Sequence, residues 1–351
     1  MVQKKNRTQR NQQIEMKFHG QFIKEYTTQF IRNFFLKKNF HEIDAPALLP
    51  TLPIEPNIYP LKTHWKHANR DFFLSISPEA SIKKLISLNI GNCFSISKTF
   101  RDSESIGPSH NLEFTLLEWY EINKNYKHIA QTTQKLILKT HQHIQKRLNN
   151  SPTNILQYQN ISIDLAPPWP TFTLKQLFKK YANIDLAKNL TFSQIKKTAH
   201  KKGYNTKNIK KWEPLYDQIL LNEIEPNLPK NKPIFIFDYP TRLSPFCVPC
   251  KNHPGFSQRF ELYIAGIELA NAYSELTSAK MLENNFKKEL AFRQKHKLPT
   301  HPYDKELITS VKNFPKCTGI ALGIERLAML FANTTQISDV LYFPTKKLLS
   351  Q

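Results

Sequence analysis

A chain of 351 residues, 40% of them hydrophobic, can bury one substantial core but leaves room for little beyond a single large domain with an insertion. Four cysteines in no regular framework, no N-terminal apolar leader and no apolar run of bilayer length exclude a disulfide-stapled secreted module and a helical membrane protein, so a soluble cytoplasmic protein is expected. Fifty Lys and Arg against 28 Asp and Glu leave a net charge of +22, which draws polyanions from a distance and predicts an acidic partner.

Basic residues concentrate in MVQKKNRTQR, read as an N-terminal arm over 1–20, and in KKTAHKKGYNTKNIKKW at 196–212, read as a basic surface. Neither has the interleaved aromatics of a single-strand-binding module. Phe22, Tyr26, Phe30 and Phe34 fall at helical spacing, so the chain from about 21 to 39 is predicted to be an amphipathic helix. HEIDAPALL follows as a short strand stopped by Pro46, which has no N–H for a ladder. Residues 71–101 read as a strand, a helix with Pro78 in its first turn and Ser77 as its cap, and a second strand ending at Arg101. From 122 to about 232 the pattern is that of a helical insertion, with helices around 129–148, 173–184, 191–202 and 213–225. Strands return at KPIFIFDYP; RFELYIAGIELANAYSEL reads as a hairpin turning at Ala265 and Gly266, and GIALGIERLAMLFA as a glycine-punctuated strand entering a helix.

Chemistry concentrates in FRDSESIGPSHNLEFTLLEWY, residues 100–120. Arg101 ends one strand and Glu113 to Tyr120 form the returning one, on which Phe114, Leu116, Glu118 and Tyr120 share a face. An aromatic plate, a carboxylate and a phenol on one surface suit a purine plus an amine. Plain sheet packing, with Arg101 paired to a glutamate, is the alternative for this hairpin alone. Arg326, behind Gly319 and Gly323, offers a second guanidinium for a phosphate, with glycines that let backbone approach a nucleotide. Glu268 and Glu275 are hard oxygen ligands of the type magnesium prefers. On a regular strand they face opposite sides, so bringing both to one pocket requires a bulge near Asn271 and Ala272. Cys247, Cys250 and His253 fall short of the four ligands of a structural zinc site, and a thiol-bearing loop is expected there.

FRDSESIGPSHNLEFTLLEWY resembles motif 2 of the class II aminoacyl-tRNA synthetases, GIALGIERLAML resembles motif 3, and the helix leading to Pro46 resembles the weaker motif 1. The lysyl branch is nearest, and the resemblance runs from about residue 20 to the C-terminus. It is closest to the small paralogues that attach (R)-β-lysine to elongation factor P. SPEASIKKL, HNLEFTLLEWY and RFELYIAGIELANAYSEL are similar to paralogue segments, and Ala321 stands where tRNA-charging lysyl enzymes usually have glycine. The residues before about 20 leave no room for an anticodon-binding β-barrel, so none is expected. The resemblance implies an α+β class II catalytic core over 21–351, a mixed, mostly antiparallel sheet flanked by helices. It also implies a homodimer built on motif 1, with the Phe-rich helix expected to offer surplus apolar surface.

The same resemblance implies an ATP- and magnesium-dependent ligase whose catalytic pair is Arg101 and Arg326. Arg101 would hold the α-phosphate, Phe114 would stack on adenine, and Asn111 would touch the adenine edge through its backbone. Asp102, Ser103 and His110 belong to the same ATP loop, and Glu104 is expected to take the adenine-side role that the family's motif 2 usually gives to the position of Ser103. Arg326 would cover the γ-phosphate end and Gly323 the ribose or adenine. Glu268, with Leu269 beside it, would ligand magnesium, with Glu275 as the second hard ligand. Ser77, Pro78 and Glu79 would meet the amine beside the substrate carboxylate. Tyr120 and Glu275, supported by Glu118, would bind the distal ammonium, Asn271 would orient the carboxylate, and Ala321 would shape the pocket. Lysine or (R)-β-lysine is the implied substrate and elongation factor P the implied acceptor. A truncated lysyl-type enzyme acting on tRNA or another RNA is the first alternative. A catalytically silent synthetase-like regulator is the second, and retention of both arginines, Glu268 and Glu275 argues against it.

Overall fold

The computed structural model describes residues 16–102 and 106–350, so most of the basic arm, and Ser103 and Glu104, lie outside the described residues. Helix α1 (His19–Leu36) forms where the 3.6-residue spacing predicts it. Its Ile23, Thr27, Ile31, Phe34 and Phe35 are buried, and Phe35 lies against Phe94 and Trp119 at ring-centroid distances of 5.1 and 5.2 Å. Burying each such ring contributes roughly 1.5–3 kcal/mol. Of the aromatic side chains on this helix, Phe34 and Phe35 are used within this chain while Phe22, Tyr26 and Phe30 stay half-buried; large exposed apolar side chains include Leu36 at its end, and Tyr342, Phe343 and Leu349.

The single strand expected at HEIDAPALL is split by Pro46 into β1 (His41–Glu42) and β2 (Leu48–Leu49). With β3 (Lys62–Trp65) and β4 (Arg70–Leu74), β2 makes a small sheet in the order β2-β4-β3. Helix α2 (Glu79–Ser87) starts after Pro78, which takes the cap position rather than the first turn, and the Glu79 N–H donates to Ser77 Oγ at 3.0 Å. β5 (Cys93–Phe100) and β6 (Glu113–Ile122) form the hairpin around Arg101.

Between 122 and 232 the chain carries α3 (Tyr126–Arg147), then β7 (Ile155–Tyr158), β8 (Ile161–Asp164) and β9 (Thr171–Thr173), then α4 (Leu174–Ala182), α5 (Phe192–Lys201) and α6 (Glu213–Ile219). Capping boxes open α4 (Thr173 with Gln176) and α5 (Thr191 with Gln194). The strands missed in the sequence are three or four residues long, too short to show a period. β10 (Ile234–Pro240), β11 (Phe256–Ile264), β12 (Ile267–Ser274), α7 (Ala279–Lys295), α8 (Lys305–Ser310), β13 (Cys317–Gly323) and α9 (Ile324–Phe331) follow.

The main sheet runs β1-β5-β6-β13-β12-β11-β10-β9, parallel at its two ends and antiparallel between them, as expected of an α+β core. One face packs on α1, α3 and α9. A second core, around Phe178, Trp212 and Tyr216, joins α4 to α6 to β10 and β11. On β6, Leu117 and Trp119 point into the first core, which turns Glu118 and Tyr120 to the opposite face. No helix among the described residues is long and apolar enough to cross a membrane.

Candidate active site

The face opposite that core floors a cavity of about 1090 Å³. Strand register sorts this face of the sheet into rows: Ser95, Glu118, Ala321, Asn271 and Glu261; then Cys93, Tyr120, Gly319, Tyr273 and Arg259; then Ser97, Leu116 and Gly323, of which the three residues on β5 lie outside the cavity lining. The hairpin turns at Ala265 (φ 53°) and Gly266 (φ 80°), where the sequence predicts it. The bulge expected near Asn271 and Ala272 lies just before them, at Leu269. Leu262 pairs with Ala270 while Tyr263 pairs with Glu268, so Leu269 is the extra residue. That insertion reverses the phase of β12 and brings Glu268 to the cavity face with Asn271 and Tyr273.

At one end Arg101 leaves β5 with its guanidinium 5.2 Å from the centre of the Phe114 ring. Arg326, in the first turn of α9, donates to the Glu268 carbonyl at 2.9 Å, and its Nη1 lies 3.9 Å from the Glu268 carboxylate. Its Nη2 stands 2.8 Å from His110 Nε2, and His110 Nδ1 is 3.1 Å from Ser109 Oγ. Because the guanidinium can only donate, Nε2 accepts and the imidazole proton sits on Nδ1. Asn111 spends its side chain on the Glu113 carbonyl (2.7 Å) and the Thr345 N–H (3.1 Å). A Cβ on Gly323 would come no nearer than 3.8 Å to Arg326, so packing in the free protein leaves space there.

The other end is acidic. Ser77 Oγ donates to Glu118 Oε1 at 2.5 Å and the Tyr120 phenol to Oε2 at 3.4 Å. Burial, with Glu79 close by, pushes the Glu118 carboxyl up to about 8. Gly319 is required here: a Cβ would stand 2.4 Å from Tyr120 Cε1 and 2.8 Å from Glu275 Oε1. Among the described residues, Asn271 Oδ1, buried on the floor, has no hydrogen-bond partner, nor does Glu275 Oε1. Buried acceptors of that kind are uncommon and mark positions where a ligand donor fits.

Several expectations change in three dimensions. Glu275 does not join Glu268. It stands at the acidic end, over Gly319 beside the Tyr120 ring, ion-paired at 2.6 Å to Lys83, which also holds Glu79. Burial pulls the Lys83 ammonium down, but Glu275 and Glu79 together hold it well above its ordinary range. The acid beside Glu268 is Glu261, which takes Arg259 at 2.7 Å and the phenols of Tyr239 and Tyr263 at 2.7 and 3.1 Å. Enclosure in the cavity and the charge of Glu261 push the Glu268 carboxyl up to about 7. Two acids crowded on adjacent strands fit a divalent cation, and among the described residues no group of three or more ligating side chains could hold one alone. That suits magnesium, which takes most of its ligands from phosphate and water. Pro78 is buried behind the wall, and Asp102 is exposed, its N–H donating to the Tyr59 carbonyl; neither lines the cavity. Cys250 Sγ and His253 Nδ1 turn to Asp238 at 3.5 and 3.0 Å, while Cys247 is buried apart from them.

Arg259 and Glu261 went unread in the sequence, although polar residues two apart in an apolar strand were a usable signal. Lys83 offered only its i,i+4 spacing from Glu79, since its partner across the fold, Glu275, is invisible from helix α2.

The sequence profile of the family described as tRNA synthetases class II (D, K and N) matches residues 5–347. Similar proteins include the Lysine--tRNA ligases of Pelotomaculum thermopropionicum (30% identical over 319 residues), Wigglesworthia glossinidia brevipalpis (32% over 322) and Saccharolobus solfataricus (31% over 316). Each alignment covers 90% of this chain and 61 or 62% of the relative, so the chain spans about three fifths of the length of these relatives. With an antiparallel sheet that sets an arginine at the end of β5 and another at the start of α9 over one cavity, and a profile match along almost its whole length, the chain belongs to the class II tRNA synthetases of the D, K and N group.

Proposed function

We propose that the protein activates lysine or (R)-β-lysine with ATP as an aminoacyl-adenylate and transfers the acyl group to a lysine side chain of elongation factor P. The observation that carries this reading is the polarity of one cavity, with Glu79, Glu118 and the Tyr120 phenol at one end and Arg101, Phe114 and Arg326 at the other. The acidic end suits a diamino acid and the basic, aromatic end a nucleoside triphosphate.

Adenylation is attack of a substrate carboxylate oxygen on the α-phosphorus of ATP, with pyrophosphate leaving. The nucleophile is already ionised, so no general base is needed, and positioning with charge neutralisation lowers the barrier. Asn271 Oδ1, between the two ends, is free to accept from the substrate amine. Arg101 neutralises the reacting phosphate, and Arg326, pre-set by the Glu268 carbonyl and His110, covers the outgoing pyrophosphate. Glu268 with Glu261 would hold magnesium, which when bound supplies further positive charge at the phosphates. Ala321, between Glu118 and Asn271 in the strand register, adds a methyl group to the amino-acid end and narrows it relative to glycine.

A second reading takes tRNA as acceptor, favoured by the names of the similar proteins. ATP–pyrophosphate exchange with each lysine isomer, followed by acyl transfer to elongation factor P or tRNA, separates the two. Exchange with Arg101→Ala is expected to fall at least about a hundredfold with the fold intact. Exchange by the wild type with an uncharged amino acid alone would refute the lysyl reading, and no exchange at all would leave a silent relative of the family.

A further inference from the structure

Glu55 stands in the loop between β2 and β3, and its backbone is held from an unusual direction. Arg293 of α7 is fully buried, and its Nη2 donates to the carbonyls of Glu55 and Ile58, the latter at 3.0 Å. Nη1 reaches the Pro299 carbonyl at 3.4 Å, Nε pairs with Glu289 at 3.1 Å, and the Tyr59 ring lies 4.6 Å from the guanidinium. A buried guanidinium is costly unless its N–H groups are used. Here they fix the loop as part of the cavity wall.

What the loop presents is the Glu55 side chain, which lines the cavity with Ser77, Glu79 and Glu118. Glu79 is tied to Lys83 and Glu118 to Ser77, but the Glu55 carboxylate has no hydrogen bond or ion pair among the described residues. Glu55, Glu79, Glu118 and Glu275 gather around one lysine ammonium, that of Lys83, which among the described residues pairs with Glu79 and Glu275 only. Carboxyl groups thus outnumber that ammonium, and the other cations acting on Glu55 are Arg101 and Arg259. Resting on the lysine-activating reading above, we infer that Glu55 forms with Glu79 a second cation subsite, binding the substrate amine nearer the carboxylate while Glu118 and Tyr120 take the distal ammonium.

The test compares lysine with 6-aminohexanoate, which keeps the carboxylate and distal ammonium but lacks the nearer amine. Calorimetry on the whole protein gives the Kd of each. Glu55→Gln is expected to reduce the preference for lysine by about tenfold or more, the loss of one charge-assisted hydrogen bond. Glu55→Asp, which keeps the charge, should restore part of it.

A pH series adds a readout that a purely structural loop would not move. Burial and Glu79 push the Glu55 carboxyl up to about 7, against Arg101 at the end of β5, Lys83 on α2 and Arg259 on β11. The wild-type preference for lysine should therefore rise with pH through about 7 as Glu55 ionises, and Glu55→Gln should flatten the rise. Glu118, which meets the ammonium common to both ligands, cancels in the ratio. An unchanged preference in Glu55→Gln, or a wild-type preference independent of pH, overturns the subsite and leaves lysine activation standing. A wild-type protein that binds neither ligand overturns the underlying reading instead.

Discussion

Glu118 joins a proposed specificity role to a stability cost. It is 3% exposed, accepts the Ser77 and Tyr120 hydroxyls, and shares a strand row with Ala321 and Asn271. Glu118→Gln keeps its shape and removes its charge, so use of lysine in pyrophosphate exchange should fall about a hundredfold. Its carboxyl, raised from 4.5 to about 8, holds a proton in the folded state that the unfolded chain has released. The ligand-free protein should therefore lose stability as pH rises through that window, and a bound ammonium should offset the loss. Thermal melts at about pH 5 and pH 8, with and without lysine, check the sign. Equal slopes in wild type and Glu118→Gln would sink the assignment.

The hairpin of β11 and β12 does two jobs through two irregularities. Its turn fixes the register, and the bulge at Leu269 swings Glu268 onto the floor. Ala265 holds φ 53° with a Cβ in place, a conformation that asparagine tolerates far better in this kind of two-residue turn. Ala265→Asn should stabilise the protein by about 0.5–1 kcal/mol, seen as a higher urea midpoint at constant m-value. A lower midpoint would mean that contacts of Ala265 with the core outweigh the backbone gain.

Across the molecule, charge is distributed with a direction. Lys197, Lys201, Lys207, Lys210 and Lys211 are exposed on the segment from α5 to α6, and Lys210, Lys211 and Lys288 reach the cavity lining. On the proposed reading, an acidic acceptor approaching the activated acyl group would meet this rim before the floor. Transfer to the acceptor should weaken more than about tenfold between roughly 50 and 200 mM salt, while adenylation changes little because enclosed charges are less screened. Charge reversal at both Lys210 and Lys211 should reproduce the effect at low salt. Equal salt sensitivity of the two half-reactions would remove the rim from acceptor binding.

Much of this protein is local and therefore readable along the chain. The 3.6-residue spacing of α1, the two-residue alternation that puts Phe114, Glu118 and Tyr120 on one face, the capping boxes of α4 and α5 and the Ala265-Gly266 turn all depend on neighbours in sequence. The arginines at the end of β5 and the start of α9 were legible for the same reason. Tertiary structure decided which charges meet. Lys83 and Glu275 pair across the fold, Glu261 rather than Glu275 stands beside Glu268, and Arg293 reaches a distant loop to set Glu55 in the wall. Those outcomes follow from strand order, from a one-residue slip at Leu269 and from the contact of Tyr120 with Gly319, and a shift of one residue in register turns a side chain to the other face. Electrostatics between buried groups is set by distances across the fold, and sequence spacing fixes those distances only within a single helix or strand.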